Sequence, residues 1–451
     1  MLKHMKKSTN VKLTGFLCAA AMMATGMAHA QEPADYGRLS GSFETNTIWY
    51  MQDSVIYNLS NPLPKDRFGS NNYLKLDYTR GKFSAGVQGE LYAPVLSGYQ
   101  NQFQGGKITN KYASWTDDNF FVTVGDFYDQ YGSGLIFRAY EDRALGMNSS
   151  VEGVRAGMNI GDIFAIRAML GRPRLYMEYA PSWLRGADAT LALSSIFGFK
   201  SQYLALEGSF LSQYDAARLN ITNNAGEHIL SSDMSAWSAR MVYEAAGFSG
   251  RVELVGKTPG YYMVDGDNVP YFGRAQLIEL GYSGHGWGIS LTGRNVEHME
   301  MKLTESSDLK YSGTGNVLNY IPALTRQYTY SLANLDPFQV KTKGERAAQM
   351  DVFYNIRRGS SLGGRYGTKL HVNASVIYQP KDVFYLFDAP EDAKQMNFAY
   401  LDASFDFEKQ WNKKFKTTFL FAFQRMMGEE RTTVPINRYV FALDGLYKFN
   451  T

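Results

Sequence analysis

The feature that most restricts this chain is a rhythm. Segments of about ten residues, in which apolar and polar side chains alternate, recur along most of its length. Tight turns and long polar loops join them in strict alternation. Leu401, Ala403, Phe405 and Phe407 interleave with Asp402, Ser404, Asp406 and Glu408. Trp237, Ala239, Met241 and Tyr243 interleave with Ser238, Arg240 and Glu244. In a strand, successive side chains point to opposite faces, so each segment has one greasy and one wet face. Strands are expected at 39–50, 73–79, 83–91, 108–116, 119–126, 150–160, 162–171, 188–197 and 201–212. Others are expected at 236–246, 248–257, 273–283, 286–295, 346–357, 367–378, 397–408, 414–425 and 437–448. That is about 18 strands, within a range of about 14 to 20, with about nine long loops and about eight short turns.

A soluble β-sandwich has no reason to keep all its long loops at one end, and propellers or β-helices would carry an internal repeat. The pattern predicts an all-β fold: a transmembrane, antiparallel, up-and-down β-barrel. In lipid every backbone donor and acceptor must be paired, and a closed sheet does this without edges. The 31 Tyr and 28 Phe suit two interfacial girdles. No segment beyond the N-terminal region approaches the length of an apolar membrane helix.

Residues 1–30 read as a signal peptide. Lys3, Lys6, Lys7 and Lys12 precede an apolar run from Leu13 to Met27, and Ala28-His29-Ala30 fits a cleavage site. The remainder, 31–451, is expected to be one barrel domain in the cell outer membrane. The first strand starts soon after Gln31, so no plug domain of the energised-uptake type is expected before it. Removing the leader leaves 42 basic against 43 acidic side chains, which gives no reason to expect nucleic acid as a partner. The single Cys18 lies in the leader, so disulfides and thiolate chemistry are excluded from the rest.

Chemistry-bearing clusters are few. No metal site or cofactor is expected: histidines are scattered, and Asp265-Gly266-Asp267 falls short of a calcium loop. His371 alternates with Lys369, Asn373 and Ser375 and is expected to face the lumen. A hydrolytic pairing with Ser375 or Ser404 is the weaker alternative. The best binding candidates are Asp126, Asp129, Arg138, Glu141, Asp142 and Arg143, around the flexible break Gly132-Ser133-Gly134. Three readings are open: an ion-pair network pinning an inward-folded loop to the wall, a constriction that selects solutes by charge, or plain surface exposure. The long gap 296–345, with its Pro- and Tyr-containing stretch 319–338, is a candidate contact for a protein partner.

The segment GDFYDQYGSGLIFRAYEDRALGMNSSVEGVRAGM, at 125–158, resembles the characteristic region of a Bacteroidetes outer-membrane β-barrel family of unknown function. That family is porin-like in architecture and brings no catalytic residues to carry over. One departure stands out. The chain ends Tyr447-Lys448-Phe449-Asn450-Thr451 instead of on a strand with a terminal aromatic residue. Either further strands are missing at the C-terminus or the assembly signal is atypical.

Together these readings predict a non-enzymatic, porin-like channel for small hydrophilic solutes. It would be surrounded by outer-membrane lipid and inserted by the barrel-assembly machinery. The alternative is a plugged structural or accessory barrel in secretion or surface-polysaccharide assembly.

Overall fold

The structure is a computed structural model and describes residues 36–53, 57, 62–143, 145–335, 337–380, 396–427 and 435–449. The expected leader, 1–30, lies outside the described residues. The wall runs through β1 (Arg38–Trp49), β2 (Phe68–Arg80), β3 (Phe83–Tyr92), β4 (Gly105–Thr116), β5 (Phe120–Phe127) and β6 (Val151–Ile160). It continues with β7 (Phe164–Leu175), β8 (Trp183–Ala192), β9 (Gln202–Tyr214), β10 (Asp233–Ala245), β11 (Phe248–Val264) and β12 (Asp267–Gly284). It ends with β13 (Trp287–Glu297), β14 (Gly344–Ile356), β15 (Thr368–Pro380), β16 (Met396–Gln410), β17 (Phe415–Met426) and β18 (Ile436–Tyr447). A two-residue spur, Glu178–Tyr179, pairs back onto β7 and makes the sheet 19-stranded by strict count.

Each strand pairs antiparallel with its sequence neighbour, as β1 does with β2, β5 with β6 and β17 with β18. This is the up-and-down barrel wall that the alternation predicts, strand for strand. Among the described residues, β1 and β18 are each paired along one edge only. No helix of the described residues is long and apolar enough to cross a membrane.

The two faces separate as expected. On β10, Trp237 and Met241 are exposed, whereas Ser238 and Arg240 are buried. On β16, Asp402 and Ser404 are buried and Phe405 is exposed. The apolar set thus points outward, and the polar set meets a filled interior. Outward aromatics gather near the strand ends: Trp115, Tyr203, Phe248 and Trp287 by the turns, Trp183 and Tyr214 by the loops.

Strand bounds differ from expectation at several places, among them β2 and β8, which begin early at Phe68 and Trp183. The strand expected to run to 197 stops at Ala192, and a short helix, Leu193–Phe197, takes over and closes on Gly198 in the left-handed region. The loop expected at 258–272 does not exist. β11 and β12 continue to a two-residue turn, with φ of 51° at Asp265 and 82° at Gly266. Two successive positive φ values suit a hairpin whose twist matches its strands, and Asp-Gly supplies them. A register shift between Lys257 and Gly260 accommodates Pro259, which cannot donate to the ladder.

The largest apolar core lies inside the wall. Tyr131, Ile136, Phe137, Leu175, Leu184, Met299, Met301, Leu303 and Leu318 are buried together. Leu175 and Leu184 come from β7 and β8 of the wall, and the others from the connection after β5 and the long connection after β13, both folded inward. The segment expected to fold inward does so, and the 296–345 gap joins it.

Candidate functional site

The interior is built from two inward loops clamped to the wall and to each other. The first, 128–150, leaves β5 and drives Tyr131 against Gly186 of β8, where a Cβ would stand 2.7 Å from the Tyr131 ring. Beyond it, Gly132 passes so close to the wall that a Cβ there would lie 2.5 Å from Arg240 Nη1 and 2.6 Å from Glu253 Oε1. Its φ is 55°, so glycine is required on both counts. The Ser133 amide donates to Glu253 Oε2 at 3.2 Å.

Arg240 is the hub of that clamp. Its guanidinium donates to Asp188 and Glu207, each at 2.7 Å, and to Ser209 at 2.6 Å, with Glu253 at 3.9 Å. Asp188 also pairs with Arg167 at 3.0 Å, and Arg167 reaches Asp129 at 3.0 Å. A continuous charge network thus ties wall strands β7 to β11 to the base of the first loop.

The second loop, between β13 and β14, crosses the lumen as a strap. Near β8 and β9 the carbonyl of Leu303 accepts from Ser182 Oγ at 2.6 Å and from Gln213 Nε2 at 2.7 Å. Arg294, itself paired with Glu345 at 2.7 Å, donates to the Pro322 carbonyl at 2.6 Å. On the far side Arg326 pairs with Asp406 and donates to Ser404 Oγ at 2.9 Å. Tyr328 donates to Asp402, and Gln424 Nε2 donates to the Ala333 carbonyl at 2.9 Å. Asn319 joins the loops, donating to the carbonyls of Leu135 and Met299 at 2.9 Å each. The Arg138 amide donates to the Leu318 carbonyl at 3.3 Å.

The six candidate residues separate into three places. Asp126 is buried at the foot of the loop, accepting from Tyr179 Oη at 2.8 Å and the Lys111 amide at 3.0 Å. Asp129 is buried between Arg167 and Arg155. Arg138 stands apart with no ion pair among the described residues. Its guanidinium lies 4.8 Å from the Tyr140 ring centre and 4.5 Å from that of Tyr320. Burial pushes the Tyr140 hydroxyl up to about 12, with Tyr320 adding to it, so Tyr140 keeps its proton. Glu141 accepts from Gln88 and from Arg143, each at 3.1 Å, and Arg143 also pairs with Glu44 on β1. Asp142 accepts from the Leu145 amide at 3.1 Å.

His371 faces the lumen. Its Nε2 lies 2.7 Å from Asp351 and its Nδ1 3.1 Å from Asp406. Both ring nitrogens meet carboxylates, so no serine is presented to them and the hydrolytic pairing with Ser375 or Ser404 has no geometric basis. Among the described residues no cluster of metal-ligating side chains forms.

Sequence reasoning missed the clamp on Arg240 and the strap. It placed Arg240 on the wet face without a partner, because the partners come from three other strands. The strap did carry a signal: Met299, Met301, Leu303 and Leu318 are costly in a solvated loop and call for a core.

A model of a family described as a "Family of unknown function (DUF6029)" matches residues 5–451. No curated protein matches the chain. Among solved structures, the chain is similar to Pseudomonas aeruginosa OccK3 (OpdO). That match has 13% identity and a TM-score of 0.43, and covers 90% of this chain and 94% of that one. It is also similar to P. aeruginosa OccD3 (OpdP), at 10% identity and TM-score 0.41, covering 91% of this chain and 90% of that one. A third match is P. aeruginosa OccK2 (OpdF), solved in complex with glucuronate. It has 9% identity and TM-score 0.40, covering 91% of this chain and 95% of that one.

Proposed function

The chain belongs to the DUF6029 family of unknown function, and from that starting point we propose that it is an outer-membrane, porin-like channel for small hydrophilic solutes. It sits in a Gram-negative envelope of the Bacteroidetes type, inserted by the barrel-assembly machinery, and performs no catalysis. The observation that carries this reading is the contrast between the two halves of the lumen. Toward the turns the inner wall is charged and wet: the Arg251–Glu279 pair leaves each side chain 41% exposed, and Lys369 is 68% exposed. Toward the loops, the first loop and the strap close the bore with polar and aromatic groups such as Arg138, Tyr140 and Tyr320. A solute path through such a barrel is gated where the two loops meet.

The experiment is planar-bilayer recording on refolded protein. Discrete conductance steps are expected, altered in size or ion preference by Arg138→Ala and by Glu141→Ala. Silent membranes holding well-folded protein would sink the channel reading.

One observation favours a second reading. Ile136, Phe137, Met299, Met301, Leu303 and Leu318 pack as a dry core between the loops, which suits a permanent plug. The protein would then be an accessory barrel in secretion or surface-polysaccharide assembly. A protein partner would grip the exposed part of the 296–345 connection around Asp308, Leu309 and Lys310. No conductance, together with a partner whose co-purification is lost on Leu309→Asp, would decide for it.

A further inference from the structure

The turn end of the barrel carries its positive charge on one side. Between β2 and β10 the turns hold few charges, and some cancel, as Lys82 does against Asp117 at 2.6 Å. In the sector from β14 to β18 the picture changes. The 357–367 turn supplies Arg357, Arg358 and Arg365, the 411–414 turn supplies Lys413 and Lys414, and Lys448 follows β18. No Asp or Glu occurs within 357–369, 409–418 or 445–449. Five of the six cations are exposed, Lys414 is half-exposed, and none forms an ion pair among the described residues. Glu408, one residue before Lys409 on β16, is already held by Lys369 at 3.1 Å and Lys416 at 2.8 Å.

These cations form one surface. Lys409 of β16 donates to the Leu362 carbonyl, which fastens the 357–367 turn to the next hairpin. The Lys448 amide donates to the Lys414 carbonyl at 2.8 Å, which brings the end of β18 alongside. The exposed aromatics Tyr354, Trp411, Tyr447 and Phe449 lie at the same end of the same strands. Aromatic side chains at a strand end mark the level of the lipid headgroups, and long cationic side chains beside them reach toward phosphates.

We propose that this rim binds the phosphate headgroups of anionic phospholipids in the leaflet on the turn side. Lipid is favoured over a soluble acidic partner because the turns are short. The cations stay at headgroup height, where phosphates lie within one screening length of about 10 Å. The inference rests on the barrel lying in a membrane and not on its conducting, so a silent barrel tests it equally well.

The test uses the mature chain, which has no cysteine of its own. A fluorophore is attached at Ser361→Cys, in the basic sector, or at Asp162→Cys, in the 161–163 turn. Each labelled barrel is reconstituted in vesicles containing brominated phosphatidylglycerol or brominated phosphatidylcholine. At Ser361 the anionic lipid is expected to quench at about a fivefold lower mole fraction than the zwitterionic one. At Asp162 the two are expected to quench alike. The preference should vanish in Arg357→Gln/Arg358→Gln/Arg365→Gln/Lys413→Gln/Lys414→Gln, and should fall in Lys413→Gln/Lys414→Gln if the larger set does not fold. Equal quenching at Ser361 overturns the proposal. So does co-sedimentation with purified peptidoglycan that depends on the same cations, since the surface would then serve the cell wall.

Discussion

Arg240 is nearly inaccessible to solvent, yet it answers three carboxylates and two hydroxyls. Removing one side of a buried charge network leaves the other side uncompensated, which costs about 3–5 kcal/mol. Arg240→Ala is therefore expected to lower unfolding stability by about 3 kcal/mol or more in denaturant titrations of the reconstituted barrel. A loss under about 1 kcal/mol would show that water screens the cluster. Gly132 makes a complementary case. A valine there meets both Arg240 and Glu253, so Gly132→Val should expel the first loop from the wall, and protease cleavage within 128–140 reads this directly. Much at this scale was legible only as a face. Alternation placed Arg240, His371 and Asp402 inside, but not which strand would answer each of them. Asp129 and Arg143 pair with charged groups of the wall, Asp126 accepts from Tyr179 and the Lys111 amide, and Arg138 lies between aromatic rings.

At the scale of elements, the hairpin of β11 and β12 and the strap set opposite lessons. The hairpin was misread as a loop because Pro259, Gly260 and Pro270 look like breakers. The Asp265-Gly266 pair was the stronger local instruction, and the bulge at Lys257 absorbed the proline. Gly266 has open space around its missing Cβ, so Gly266→Ala meets backbone strain alone. It is expected to cost about 1 kcal/mol by thermal or chemical unfolding, and an unchanged midpoint would refute the two-residue turn. The strap was legible as a long connection and not as an interior element, because inward folding depends on contacts far apart in sequence. Asn319→Ala removes the side-chain hydrogen bond to Leu135 of the first loop and the one to Met299 within the strap. It is expected to cost about 1–3 kcal/mol and to make 298–335 protease-sensitive. If proteolysis is unchanged, the backbone hydrogen bonds and apolar packing between the loops suffice without Asn319.

For the whole molecule, the strand count and the one-sided placement of long loops were legible in the sequence because both follow from a period of two and from turn chemistry. Closure was not, since nothing local says which strands meet last. β1 and β18 each show one unpaired edge among the described residues, and with an even number of wall strands those edges run antiparallel. Unpaired amides in lipid cost several kcal/mol each, so the two edges are expected to meet in the membrane. A cysteine at Ser42, combined one at a time with cysteines along 438–444, should give a disulfide at one or two positions in vesicles. Cross-linking at none would mean that the seam takes another strand.

The inward course of the two loops also decides what the outside world can see. Much of the chain between β5 and β6 and between β13 and β14 is spent on the interior. If the barrel lies in an outer membrane as proposed, the surface that the described residues offer to an antibody or a phage tail includes the 215–232 connection, the tip at Asp265-Gly266, a small knob around Leu309 and the exposed residues around Leu332 and Leu335.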